Sequence, residues 1–183
     1  MLEILVPGGE GFNNKTNEFF YWKDQKLLLE HSLLSISKWE AKYHKPFLSS
    51  EKTKEEVVDY IRCMTVNSNV DPRVYYGLTG DNINAINEYI QNPMTATWFA
   101  EDNNPNPAAP KKKEVITSEI IYYWMVSYQI PFECQKWHIN RLLTLIRVYS
   151  EKNKDPKKLS KKEALAQRKS LNAARKAKYH STG

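Results

Sequence analysis

The pattern of apolar and polar positions changes period once along this chain, near Ser32. Before that point the apolar residues fall in short blocks. LEILV at 2–6 reads as a strand and PGGEG as the turn that ends it. FFYW at 19–22 and KLLLEH at 26–31 follow, separated by Lys23, Asp24 and Gln25. Strand, turn and strand predict a small β-hairpin or meander over residues 1–31. The alternation is imperfect, so Leu27 to Leu29 suit a helix as well.

From Ser32 onward the spacing is helical. SLLSISKWEAKYH sets Leu33, Ile36, Trp39 or Glu40, and Tyr43 on one face, and Pro46 limits its extension. Thr53 to Glu56 has the form of a capping box, opening a helix that turns Val57 or Val58, Tyr60, Ile61 and Met64 inward. Asp71 and Pro72 start a short helix that stops near Gly77. Thr79 or Asp81 starts another, with Ile83, Ile86 and Ile90 along one stripe and Asn92-Pro93 at its end. EDNNPNPAAPKKK at 101–113 is polar, carries three prolines and lacks periodicity, so an exposed loop is expected. Two strong helices should follow: EIIYYWMVSYQ, capped by Thr117 or Ser118, and FECQKWHINRLLTLIRVYS, opened by Pro131. Asn153 to Pro156 breaks the chain, and a second capping box at Ser160 to Glu163 opens a last helix reaching about Lys178. The fold class predicted is mainly α: a compact helical bundle with a small N-terminal β-hairpin and a C-terminal basic helix.

Charge divides the chain where periodicity does not. Residues 150–183 hold eleven Lys and Arg against three acids, a net of +8, whereas residues 1–149 hold 16 basic and 18 acidic residues, a net of −2. The expected organisation is a near-neutral body, 1–149, and a basic helical tail, 150–183. With 41% hydrophobic and 12% aromatic residues the body can bury a core. No apolar run approaches the roughly 20 residues that cross a bilayer, so no membrane association is expected. MLEILVPGGEG has neither a basic n-region nor a long apolar h-region, so no secretory signal is expected. Two cysteines without a pairing pattern suit a reducing cytoplasm.

Candidate chemistry is sparse. Cys134 and His138, four apart on a predicted helix, should be neighbours on one face. Zinc needs three or four ligands, and His31, His44, His180 and Cys63 bring no ligand spacing. A Cys-His nucleophile also needs an orienting third group. With Phe132, Ile139, Leu142, Leu143 and Ile146 marking an apolar face beside them, the pair reads as packing. PGGEGF lacks the ending of a phosphate loop, and Glu55-Glu56 belongs to a capping box. No catalytic, cofactor-binding or metal-binding residue is assigned, and no enzyme activity is expected.

Tyr122, Tyr123, Trp124 and Tyr128 crowd one helix, which should therefore be buried nearly all round, and Trp137 lies on the next. Residues 115–131 contain no Lys or Arg, so these aromatics suit a core or a protein interface rather than a nucleic-acid platform. The tail helix has two clear apolar anchors, Leu165 and Leu171, too narrow a stripe to hold it on a core. It suits docking on a partner, nonspecific phosphate binding, or a solvated appendage. The candidate partner-binding residues are Tyr122, Trp124, Tyr128 and Trp137 in the body, and Leu165, Arg168, Leu171 and Arg175 in the tail.

KWEAKYHKPFL (38–48), DYIRCMT (59–65), NPMTATWF (92–99), EIIYYWM with IPFECQKWHINRLLTLIRV (119–148) and LNAARKAKYHSTG (171–183) together resemble a family of small proteins from tailed-phage tail modules, of the tail assembly chaperone type. The resemblance runs over nearly the whole chain. It implies a nonvirion helper in siphophage assembly, in the host cytoplasm, that binds the tape-measure protein and helps bring tail-tube subunits around it. A homo-oligomer is compatible with that role. It carries no functional residues across. Two other classes remain: a structural virion component in the tail or neck, such as a tail completion protein, and a nucleic-acid-binding protein acting through the basic tail.

Overall fold

The computed structural model describes residues 1–13, 16–99 and 115–153, with 165, 168–172, 175 and 178. The chain divides into two compact units, Met1–Tyr149 and Ser150–Gly183. The fold is mainly helical, with two small antiparallel sheets at the start. The loop expected at 101–113 and the capping box at 160–163 lie outside the described residues, as does most of the tail helix.

The N-terminal element is one interrupted ribbon. β1 (Leu2–Val6) pairs with β4 (Gln25–Leu29), and β2 (Gly9–Asn13) pairs with β3 (Glu18–Trp22). One register runs through both ladders: Val6 faces Gln25 and, three residues on, Gly9 faces Trp22. The expectation that PGGEG is a simple turn is therefore corrected, because only Pro7 and Gly8 interrupt the pairing. The Trp22 indole donates to the Pro7 carbonyl at 2.9 Å, and the Gly8 amide donates to the Asp24 carboxylate. The glycines serve the aromatics opposite them. Gly11 faces Phe20, and a Cβ at Gly11 would stand 2.4 Å from the Phe20 ring. An aromatic side chain covering a cross-strand glycine is a known sheet-stabilising device. Leu27 to Leu29 resolve as strand because Leu27 and Leu29 point inward beside Ile4 and Val6, while Leu28 stays half exposed.

Ser32 caps α1 (Leu33–Tyr43), exchanging bonds with Ser35, and His44 ends it in the left-handed conformation. Thr53 and Glu56 form the expected capping box of α2 (Lys54–Met64). Asp71 caps a 3-10 helix, Pro72–Gly77, and Thr79 caps α3 (Gly80–Gln91). Later come α4 (Ser118–Ser127), a 3-10 helix at Phe132–Lys136, and α5 (Ile139–Lys152). Trp39 sits fully buried in the core, its indole donating to the Glu56 carbonyl at 3.0 Å. Around it the core gathers Leu27, Leu29, Leu33, Ile36, Ile61, Met64, Ile121, Met125, Ile139 and Leu142.

Two helical expectations are corrected. The stretch opened by Pro131 is not one helix: Trp137 is extended, and His138 bridges to Ser32 before α5 begins. The backbone amide of Ile139 donates to the His31 carbonyl at 2.7 Å, so tertiary pairing breaks the local helix there. Nor is α4 buried nearly all round. Ser118, Ile121 and Met125 face the core, but Tyr123 is 67% exposed and Val126 59% exposed. Tyrosine suits such a position, since its ring can pack while its polar hydroxyl faces solvent.

Gly77 packs the ribbon onto the body. A Cβ there would lie 2.4 Å from the Trp22 indole nitrogen and 3.1 Å from the Pro7 carbonyl oxygen. Gly77→Ala is expected to push the indole off Pro7 and cost about 1–3 kcal/mol. A lowered thermal midpoint with red-shifted tryptophan emission checks this.

Candidate functional site

Cys134 and His138, expected to be neighbours on one helix face, lie on different elements, and each is buried for its own reason. Cys134 ends in the core, 5% exposed, and burial pushes its thiol up, away from the thiolate that nucleophiles and metal ligands require. Cys63, half-buried on α2, has its thiol pushed up by burial too. His138 joins a polar cluster. Its Nε2 donates to the Tyr89 carbonyl at 3.0 Å, and its Nδ1 accepts the Asn140 amide at 3.3 Å. Those two bonds together specify the neutral ring, because protonating Nδ1 would turn a donor toward the Asn140 amide.

His31 is the unexpected member. It is 3% exposed, and its ring meets His138 edge to face with centroids 5.1 Å apart. Tyr60, whose hydroxyl burial keeps protonated, bonds His31 Nδ1. Burial, with the neighbouring His138, lowers the His31 pKa to about 3, and burial lowers that of His138. Tyr89, whose ring meets His138 edge to face, donates its hydroxyl to Glu30 at 2.6 Å. Two neutral histidines thus tie the end of β4 to α2, α3 and the start of α5. Among the described residues, no group of three or more His, Cys, Asp and Glu is placed to hold a metal ion.

The aromatic candidates in the body fall at the edge of the core. Tyr122, Trp124, Tyr128 and Trp137 are all half-buried and packed against it. The Tyr122 hydroxyl donates to Gln135 at 2.8 Å, Tyr128 stacks on Tyr149 at 6.0 Å, and Arg141 lies 4.3 Å over the Trp137 ring. Beside them Tyr123, Val126 and Phe132 stand out, Phe132 being 54% exposed rather than part of the apolar face expected for it. No family model, curated protein or solved structure matches this chain.

In the tail, Leu165 and Leu171 are 60% and 53% exposed, and Arg168 and Arg175 are exposed as well. The described tail residues therefore present their apolar and basic groups to solvent. No helix among the described residues is long and apolar enough to cross a membrane.

Sequence reasoning missed His31 and Glu40. Glu40 stood inside an otherwise apolar stripe, a signal that its carboxylate has partners within the fold. It has two: the amide of Phe47 and the amide of Ser118, each at 2.7 Å. His31 carried no such signal, because its partners come from distant helices.

Proposed function

We propose that this chain is a noncatalytic, protein-binding helper of the tail assembly chaperone type, acting in the host cytoplasm during siphophage tail assembly. In this reading the body is a compact helical bundle, the tail a basic helix, and the clients are the tape-measure and tail-tube proteins. The resemblance of its motifs to that family supports the assignment. The observation that carries it is the exposed trio on α4 and the following 3-10 helix, Tyr123, Val126 and Phe132, beside half-buried Tyr122, Trp124, Tyr128 and Trp137. Rings exposed at the margin of a core offer a client helix apolar contact without costly rearrangement. The holding action covers apolar client surface until tube subunits replace the helper. The tail, with Leu165, Arg168, Leu171 and Arg175 facing solvent, adds electrostatic capture.

Affinity capture from phage-infected cells, with and without nuclease, tests this. The expected catch is a very large helical phage protein, unaffected by nuclease and reduced about tenfold by Tyr123→Ser with Phe132→Ser, a loss of about 1.4 kcal/mol. Presence of the chain in purified particles would instead assign it to the virion, as a neck or tail completion protein. A catch of nucleic acid that disappears with nuclease would assign the activity to the basic tail.

A further inference from the structure

The two halves of the N-terminal ribbon differ at their edges. The inner half is covered on both sides. Asn82 donates to the Leu5 carbonyl of β1 at 3.2 Å. On β4, Leu28 receives the Val66 amide at 2.8 Å and donates to Asn67 at 3.0 Å, while Asn67 also donates to Lys26. Among the described residues, no hydrogen bond outside the β2–β3 ladder reaches the backbone of Glu10, Gly11, Phe12, Phe19, Phe20 or Tyr21.

Its faces are aromatic on both sides. Cross-strand register places Glu10, Phe12, Phe19 and Tyr21 on one face, with Phe12, Phe19 and Tyr21 at 45%, 64% and 61% exposure. Phe12 and Phe19 pair edge to face at 5.0 Å. The other face carries Glu18, Phe20 and Trp22, and Phe20 meets the 68% exposed Tyr76 at 5.3 Å. A concavity of about 820 Å³ opens along that face. Natural sheet edges are normally blunted with proline, lysine or a covering element, because an open edge recruits another strand. β2 and β3 contain no proline and no lysine or arginine; their only charges are Glu10 and Glu18, one on each face. The nearby Arg73 is neutralised by a 2.8 Å ion pair with Asp71.

We propose that the outer β2–β3 ribbon is a strand-addition site for an extended protein segment that mixes apolar residues with lysine or arginine. Open backbone N–H and C=O groups supply the ladder, as in other β-augmentation sites. The rings supply apolar contact and accept cationic side chains on their faces. Glu10 and Glu18 select positive charge on either face and disfavour the phosphates of nucleic acid, since Arg73 beside them is already paired with Asp71 and Lys23 lies beyond the end of β3. The site uses no residue of α4 and does not depend on the tail-assembly reading.

The test uses the full chain and two fluorescent peptides, one alternating lysine and valine and one alternating glutamate and valine, with binding followed by anisotropy. The lysine peptide is expected to bind at least about tenfold more tightly, with the preference reversed by Glu10→Lys with Glu18→Lys. Phe19→Ser with Tyr21→Ser, on exposed positions, should abolish binding. Amide exchange on the unaltered chain gives a second readout, slowed by the lysine peptide at Glu10–Phe12 or Phe19–Tyr21 on whichever strand it pairs with. Failure of both peptides to bind, equal binding of both, or no change in exchange on the ribbon would overturn the proposal. So would self-association of the chain that the Phe19 and Tyr21 substitutions remove, which would make a second copy the occupant.

Discussion

Glu40→Ala should destabilise the body by roughly 3–5 kcal/mol, a large share of the stability of a domain of this size. Glu40 is buried on α1, and its two carboxylate oxygens accept separate backbone amides, Phe47 in the turn after α1 and Ser118 in the first turn of α4. Thr117, at the N-cap of α4, accepts none of that helix's amides with its own side chain. The cap is thus supplied from another helix, and its negative charge also suits the positive end of the α4 dipole. Removing the carboxylate leaves two buried donors unpaired, each costing about 1–3 kcal/mol, in addition to the lost packing. Glu40→Gln keeps one acceptor but turns an amide toward the second donor, so about half the loss is expected. Denaturant midpoints at constant m-value measure both. A loss under about 1 kcal/mol for Glu40→Ala would show that water replaces the carboxylate at both amides.

Acid should weaken this fold before its carboxylates titrate. His31 ionises near the usual value of 6.5 when unfolded and at about 3 when folded, and the folded pKa of His138 is shifted in the same direction. Between those limits the unfolded chain binds more protons than the folded one, so stability falls as pH falls below about 6.5. His31 alone should remove about 2 kcal/mol by pH 5, and His138 adds to it. Groups such as Glu56, held below the usual carboxylate range by Lys45 and the Thr53 amide, enter only at lower pH. Their contribution is present above the unfolded carboxylate value and lost as pH falls through the folded one. Unfolding curves at pH 7, 6 and 5 should show the histidine slope in the unaltered chain. His31→Phe with His138→Gln should flatten that slope, whatever it does to stability at pH 7. An unchanged slope in the double variant would place the acid sensitivity elsewhere.

Much of the fold is written locally. Ser32, Thr53, Asp71 and Thr79 cap their helices because their side-chain oxygens reach amides two or three residues on, an interaction that depends on nothing distant. The helical period placed Leu33, Ile36 and Trp39 inward on α1, and Tyr60, Ile61 and Met64 inward on α2. The strands at 2–6 and 19–22 were legible from their apolar and aromatic runs.

What failed did so where two remote segments compete with local preference. FECQKWHINRLL reads as one helix, yet His138 bonds Tyr89 and bridges Ser32, and the Ile139 amide goes to His31, contacts that break the helix at Trp137. PGGEGF reads as a turn because glycine alone signals flexibility. Only the facing register shows that Gly11 makes room for the ring of Phe20.

The sequence by itself determined where the helices capped by Ser32, Thr53, Asp71 and Thr79 start, which stripe of α1 and α2 faces inward, and that the last part of the chain is basic, since capping, periodicity and charge are properties of neighbouring residues. Tertiary structure alone decided that Glu40 caps α4, that His31 and His138 share a buried site, and that Asn82, Val66 and Asn67 cover the inner half of the ribbon. Each of those depends on groups brought together from far apart in the chain, and no local pattern encodes their meeting.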